Sequence, residues 1–278
     1  MASITSTRRL PAQAEHHAPA RMPFVQQVTM MTWRSLVTNF RVPGVILPPL
    51  IISAFFLLIY ESTLGGASGF LPGLRGQSYL GFILPLSIVS AALSGAGVAG
   101  QSIVRDIENG YFDKLMLTPI SRGALLLGPM VAGAVILVLQ TTVVIMVALF
   151  MGLEPVTGLP GLLTVIGFAL LLGTAFAGWT VGIALMSGNA AATQGASFLF
   201  FPLSFLTATF VPLDLLSGWI KVAATYNPIT YILDAMRTTI NIGWNAEIMA
   251  GGVAACLIMG LVLFAFAMHG LRVRTRRR

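Results

Sequence analysis

The residues best equipped for chemistry crowd into one stretch, Arg105-Asp106-Ile107-Glu108-Asn109-Gly110-Tyr111-Phe112-Asp113-Lys114-Leu115, which runs on to Thr118-Pro119-Ile120-Ser121-Arg122. Charges of both signs alternate there with Tyr111, Phe112, Leu115 and Met116. A short surface helix that meets a protein partner would alternate charged and apolar residues in this way; the plain alternative is a solvated turn with interfacial aromatics. Pro119 ends the segment, and Ser121 is suited to cap a following helix. Catalytic chemistry has little to work with. His16-His17 is an isolated pair and His269 stands alone, so no metal site is expected. Cys256, the single cysteine, lies in the apolar string AACLIMG and has no partner in the chain. HExxH and GxSxG are absent, and without a Gly-Lys pair there is no Walker A loop. The chain is expected not to be an enzyme. Energy for any work must come from another chain.

The elements that carry these residues follow from composition. Of the 278 residues, 56% are hydrophobic and only 9% charged, against roughly a quarter charged in a soluble domain. That excludes a soluble globular protein, a disordered chain and a free-standing nucleic-acid module. Charge-free runs of 19, 29, 31, 59 and 24 residues follow Arg41, Arg75, Arg122, Glu154 and Glu247. About 20 apolar residues cross the hydrocarbon core as a helix. The longest run breaks at Ser187-Gly188-Asn189-Ala190 and counts twice. Six transmembrane helices are therefore expected, over 43–60, 80–104, 124–151, 159–185, 195–212 and 248–269, in an all-α polytopic membrane protein.

Six spans leave both termini on one side. That side holds 13 basic residues: Arg8, Arg9, Arg21, Arg34, Arg41, Arg105, Lys114, Arg122, Arg272, Arg274, Arg276, Arg277 and Arg278. The other side holds three, Arg75, Lys221 and Arg237. The excess makes both termini cytoplasmic. It also gives the net charge of +7 a membrane explanation: the tail LRVRTRRR reads as an anchor beside anionic lipid, and no nucleic-acid partner is expected. Residues 1–22 read as a polar tail; the string after Arg8-Arg9 is not an apolar signal core.

Two further segments are amphipathic. In 24–41, Met30, Trp33, Leu36, Val37 and Phe40 share a helical face, with Arg34, Ser35, Thr38 and Arg41 on the remainder. This is a basic interfacial helix lying on the inner membrane surface, or else a longer first span anchored by Trp33. Residues 211–247 are too polar to cross the bilayer and too apolar for a solvated loop. Half-helices dipping in from the outer face, broken at Gly218 and at Asn227-Pro228, fit best. Trp219, Tyr226, Tyr231 and Trp244 suit the interface. Gly178 and Gly182 form GxxxG, and Gln140-Thr141-Thr142 is a polar cluster expected to face a neighbouring helix. The span interiors carry no charge, which argues against a proton- or ion-coupled carrier.

In this order the features resemble the membrane permease of ABC type-2 exporters, the drug- and antibiotic-export branch included. The resemblance rests on the amphipathic helix, on Glu108, Gly110, Asp113, Leu115 and Thr118-Pro119, and on Val211-Pro212, Trp219, Asn227-Pro228, Tyr231 and Arg237. Asp113 stands where the family more often has Glu. The resemblance implies a transmembrane domain over 24–271 between a tail at 1–23 and a basic tail at 272–278. It implies an exporter in the plasma membrane, working as a homodimer with two ATPase subunits; ATP and Mg would sit in those partners and no cofactor in this chain. Arg105, Glu108, Gly110, Tyr111, Phe112, Asp113, Leu115, Thr118 and Pro119 would couple to the ATPase as a short helix in its groove. Met30, Trp33, Arg34, Val37, Phe40 and Arg41 would brace it. Pro212, Trp219, Asn227, Pro228, Tyr231 and Arg237 would gate the outer exit. A hydrophobic drug- or lipid-like substrate is expected, a glycan being the alternative, and a stand-alone secondary transporter a more distant one.

Overall fold

The structure is a computed structural model and describes residues 22–42, 44, 46–66, 78–198, 206–207, 213 and 216–276. Among these residues there are ten helices and no strand. Helix α1 spans Phe24–Phe40, α2 Leu47–Leu64 and α3 Tyr79–Glu108. The six-residue α4, Tyr111–Met116, precedes α5, Arg122–Phe150, and α6, Gly158–Ser187. Then come α7, Ala190–Phe198, α8, Gly218–Tyr226, α9, Pro228–Asn241, and α10, Ala246–Arg276.

Local chemistry sets the ends. Ser121 Oγ accepts from Ala124 N at 3.2 Å and opens α5, as its position forecast. Gly188 ends α6 at φ 60, in the left-handed region that glycine enters without a Cβ penalty. The break at 187–190 is therefore as read. The first span is shifted: α2 begins at Leu47, because Pro48 and Pro49 fit a first turn and not a helix interior. The last helix outruns its expected end and is helical through Arg276, so most of the stretch read as a basic tail is helix. Among the described residues, four helices (α3, α5, α6 and α10) are long and apolar enough to cross a membrane, with the shorter apolar α2 beside them. The expected fifth span begins in α7, but 199–205 and 208–212, with Pro212, lie outside the described residues.

α3 forms the centre and packs against α2, α5, α6, α7 and α9, and α6 packs against α10. Gly178 sits where an added Cβ would lie 2.9 Å from the Leu263 carbonyl oxygen, and one on Gly270 would lie 2.7 Å from that of Gly182. The GxxxG pair thus does what small residues do between helices: it brings two backbones together. Gln140 is fully buried and its Nε2 donates to the Ile46 carbonyl at 3.2 Å, so this member of the polar cluster meets a neighbouring segment, whereas Thr142 Oγ1 donates to the Val138 carbonyl of its own helix. The outward faces are apolar: Val253, Leu257, Ile258, Leu261 and Val262 on α10 are all exposed. Many buried contacts combined with an apolar exterior describe a multi-pass membrane protein.

Candidate functional site

The charged stretch forms a compact junction where α3, α4 and α5 meet. Gly110, at φ 67, turns the chain between α3 and α4; an L side chain is strained there even though the space around it is open. Glu108, Tyr111, Lys114, Leu117, Thr118 and Pro119 are exposed along this turn. Leu117, at 88% exposure, is an uncovered apolar tip. Asp113 is half-buried.

Phe112 and Leu115 require a correction. They pack inward, at 2% and 7% exposure, against Met31, Ile103, Leu125 and Leu126 of the same chain. A helix of two turns cannot bury one stripe in its own core and offer the same stripe to a partner. The outward surface is the Glu108–Tyr111 and Leu117–Pro119 rim.

α1 is fastened to this junction by polar contacts. Arg34 makes a two-pronged ion pair with Asp106, Nη1 donating to Oδ1 at 3.2 Å and Nη2 to Oδ2. The same guanidinium lies 4.6 Å from the centroid of the Tyr111 ring, within cation–π range. Arg105 Nη2 donates to Asn39 Oδ1 at 2.7 Å, and the backbone N–H of Ser121 donates to Gln27 Oε1 at 2.8 Å. On α1 the buried residues are Met31, Ser35 and Asn39, spaced by one turn. Gly128 of α5 leaves room for Met31, and Thr32 Oγ1 donates to its carbonyl at 3.3 Å.

The expected apolar stripe lies on the other side. Met30, Trp33 and Phe40 are 58%, 70% and 51% exposed, with Val37 half-buried and Arg41 exposed beside them. The helix therefore turns Met31, Ser35 and Asn39 to protein and an apolar stripe away from it. Sequence reasoning found Arg34 and Arg105 but gave Asp106, Asn39 and Gln27 no role. The Met31-Ser35-Asn39 spacing carried the signal for the packed face.

The other end of α3 meets the segment 216–241. Asn227 breaks α8 from α9: its Oδ1 accepts from Ile229 N at 3.0 Å, and its Nδ2 donates to the Leu206 carbonyl at 3.0 Å. Pro228 fills the first turn, where no donor is needed. Asn227-Pro228 thus separates α8 from α9, and α8 starts at Gly218. Tyr231 Oη donates to the Thr225 carbonyl at 3.0 Å across the corner, and Trp219 is 70% exposed.

Arg237, counted in the sequence with Arg75 and Lys221 and read as a gate residue, is buried. Nε donates to the Phe82 carbonyl at 3.0 Å, the guanidinium sits 3.7 Å from the Phe82 ring centroid, and Nη1 is 3.8 Å from Asp234 Oδ1. It pins α9 to α3. An apolar cavity of about 540 Å³ opens between the Tyr226–Pro228 corner and α10, with Tyr231, Gly251 and Met259 in its wall.

A family profile described as ABC-2 type transporter matches residues 26–241. A probable doxorubicin resistance ABC transporter permease protein, DrrC, of Mycobacterium tuberculosis is 25% identical over 228 residues, covering 79% of this chain and 82% of that protein. A daunorubicin resistance ABC transporter permease protein, DrrB1, of Streptomyces coeruleorubidus is 23% identical over 245 residues, covering 88% and 84%. A probable multidrug ABC transporter permease, YbhR, of Escherichia coli is 22% identical over 182 residues, covering 60% and 47%.

Proposed function

The chain belongs to the ABC-2 type transporter family, and we propose that it is the membrane subunit of an ATP-driven exporter that crosses the plasma membrane six times with both termini inside. It works as a homodimer with two copies of a separate ATPase, which holds the ATP and Mg. The rim of Glu108–Tyr111 and Leu117–Pro119 docks on that ATPase, with Glu108 and, from the half-exposed edge between them, Asp113 facing its cations and Tyr111 and Leu117 its apolar groove. The apolar face of α1 rests in the inner leaflet. The α8–α9 pair is a re-entrant outer gate, and residues 24–271 form one transmembrane domain.

One observation carries this reading. The α1 helix, the α4 junction and the end of α10 meet at one end of α3, and the outer segment meets the other. Phe82 and Arg105 mark those ends, and 23 helical residues separate them by about 34 Å, slightly more than the hydrocarbon thickness of about 30 Å. The basic residues Arg34, Arg105, Arg122 and Arg274 thus gather on one side, as a cytoplasmic face requires.

The substrate is a hydrophobic small molecule. Uncharged span interiors and an apolar cavity support this, and the relatives' names make doxorubicin the first compound to try.

The test is to purify the tagged protein in mild detergent from its own membranes. A stoichiometric ATPase in the eluate supports the reading, and Glu108→Lys should release it. A protein that comes out alone under conditions that preserve other complexes refutes it in favour of a stand-alone carrier. Doxorubicin-stimulated ATP hydrolysis would support the substrate class; stimulation only by a glycan carrier would replace it.

A further inference from the structure

Helix α4 has six residues, and an isolated helix below about 12 residues is not stable in water. Something outside it must hold its shape and direction. Two arginines from opposite ends of the chain are placed to do so. Arg34 of α1 lies over Tyr111 while both prongs of its guanidinium engage Asp106 at the end of α3. Arg274, from the last turn of α10, has its guanidinium 5.7 Å from the centroid of the Phe112 ring, and its Nη1 donates to the Leu185 carbonyl at 3.5 Å. Tyr111 and Phe112 are consecutive, so each of the first two side chains of α4 meets a cation from a different helix.

We propose that Arg34 and Arg274 are positioning residues that fix α4 to α1 and α10, so that the three move as one body. The chemistry suits arginine alone. A planar guanidinium can pair with a carboxylate along its edge and stack on a ring with its face at the same time; a lysine ammonium cannot do both. Arg274 then has a specific task within a tail whose charge reads as a lipid anchor. A pull on α4 passes through α1 to α5 at the Met31–Gly128 contact, and through α10 to α6 at the Gly178 and Gly270 contacts. The functional meaning rests on the coupling reading above; the fixed geometry does not.

The experiment measures a distance. Spin labels replace Trp33 and Leu117, both well exposed, in a Cys256→Ala background, and pulsed electron resonance is recorded on the permease in nanodiscs. With labelled chains diluted in unlabelled permease, so that each dimer carries one labelled protomer, one narrow distance is expected, unchanged when a copurified ATPase and ATP are added. Arg34→Gln and Arg34→Lys should broaden it. A label pair at Leu117 and Arg272 should broaden with Arg274→Gln. Phe112→Leu, which stays apolar and fills most of the same buried space without a ring, separates ring stacking from burial and should also broaden that second pair. Narrow distances in the arginine variants, or a wild-type Trp33–Leu117 distance that changes with ATP, overturn the proposal.

Because the nucleotide-free measurement needs no partner, failure to find an ATPase would strike the coupling reading and leave this geometry standing. With an ATPase bound, each arginine variant should retain its partner yet transport about tenfold less per ATP hydrolysed, the loss expected from one desolvated cation–π contact of about 1.4 kcal/mol. Full transport by variants with broadened distances would remove the positioning role.

Discussion

Two alanine substitutions on α6 should act with opposite sign. Gly178 and Gly167 both lie inside the helix. At Gly167 an added Cβ meets nothing within 4 Å. Replacing it removes the backbone freedom of glycine and should stabilise by up to about 1 kcal/mol. At Gly178 the same methyl would stand 2.9 Å from the Leu263 backbone C and O and 3.2 Å from its Cβ. Backbone cannot rotate out of the way, so α10 must move outward, by about half an ångström. A gap of that size forfeits about a quarter of each atom-pair attraction; about fifty pairs near 0.15 kcal/mol each would lose about 2 kcal/mol. That exceeds the propensity gain, so Gly178→Ala should be destabilising by about 1 kcal/mol net. The assay is reversible unfolding in mixed micelles titrated with sodium dodecyl sulfate. Trp179 stacks on Phe266 with centroids 4.9 Å apart, so its fluorescence reports the same contact between α6 and α10. The reasoning fails if Gly178→Ala proves as stable as Gly167→Ala.

Gly110→Ala should be destabilising by about 1–2 kcal/mol, the cost of a left-handed backbone for an L residue, and seen as a lower melting temperature, although no atom obstructs its methyl. Gly110→Asn should recover part of that loss. Arg237→Met should lower stability by about 1–3 kcal/mol, because it removes a charged donor to the Phe82 carbonyl and the guanidinium's stack on the Phe82 ring; it should also loosen α9, read as faster hydrogen exchange over 228–241. Asp113→Lys should fold and reach the membrane but fail to export, measured as drug accumulation in cells that also express the ATPase; normal export would remove Asp113 from the docking surface.

The long helices were readable because lipid imposes one answer on an apolar run of sufficient length. The breaks at Gly188 and Asn227-Pro228 were readable because glycine and proline act through their own backbones, whatever surrounds them. The first span slipped for the complementary reason. A charge boundary at Arg41 shows where polarity ends, while Pro48-Pro49 decides where the helix can start. The junction was found by its charges, but the direction of Phe112 and Leu115 was not. Their alternation with charges fits a helix that faces a partner and one that faces its own core equally well.

That ambiguity has a general cause in a membrane protein. Periodicity tells which residues share a face; in water an apolar face must turn inward, whereas in a bilayer lipid is as good a neighbour as leucine. The informative residues are then the small and polar ones. On α10 the large side chains Val253, Leu257, Ile258, Leu261 and Val262 look outward, while Gly252, Cys256 and Gly270 are buried. On α1, Ser35 and Asn39 are buried while Trp33 and Phe40 are bare. On these two helices small and polar residues face protein while many large apolar ones do not, which assigns each of them a side. Applied to α1 at the outset, it would have singled out Asn39, and with it the Arg105 contact that ties the N-terminal helix to the end of α3.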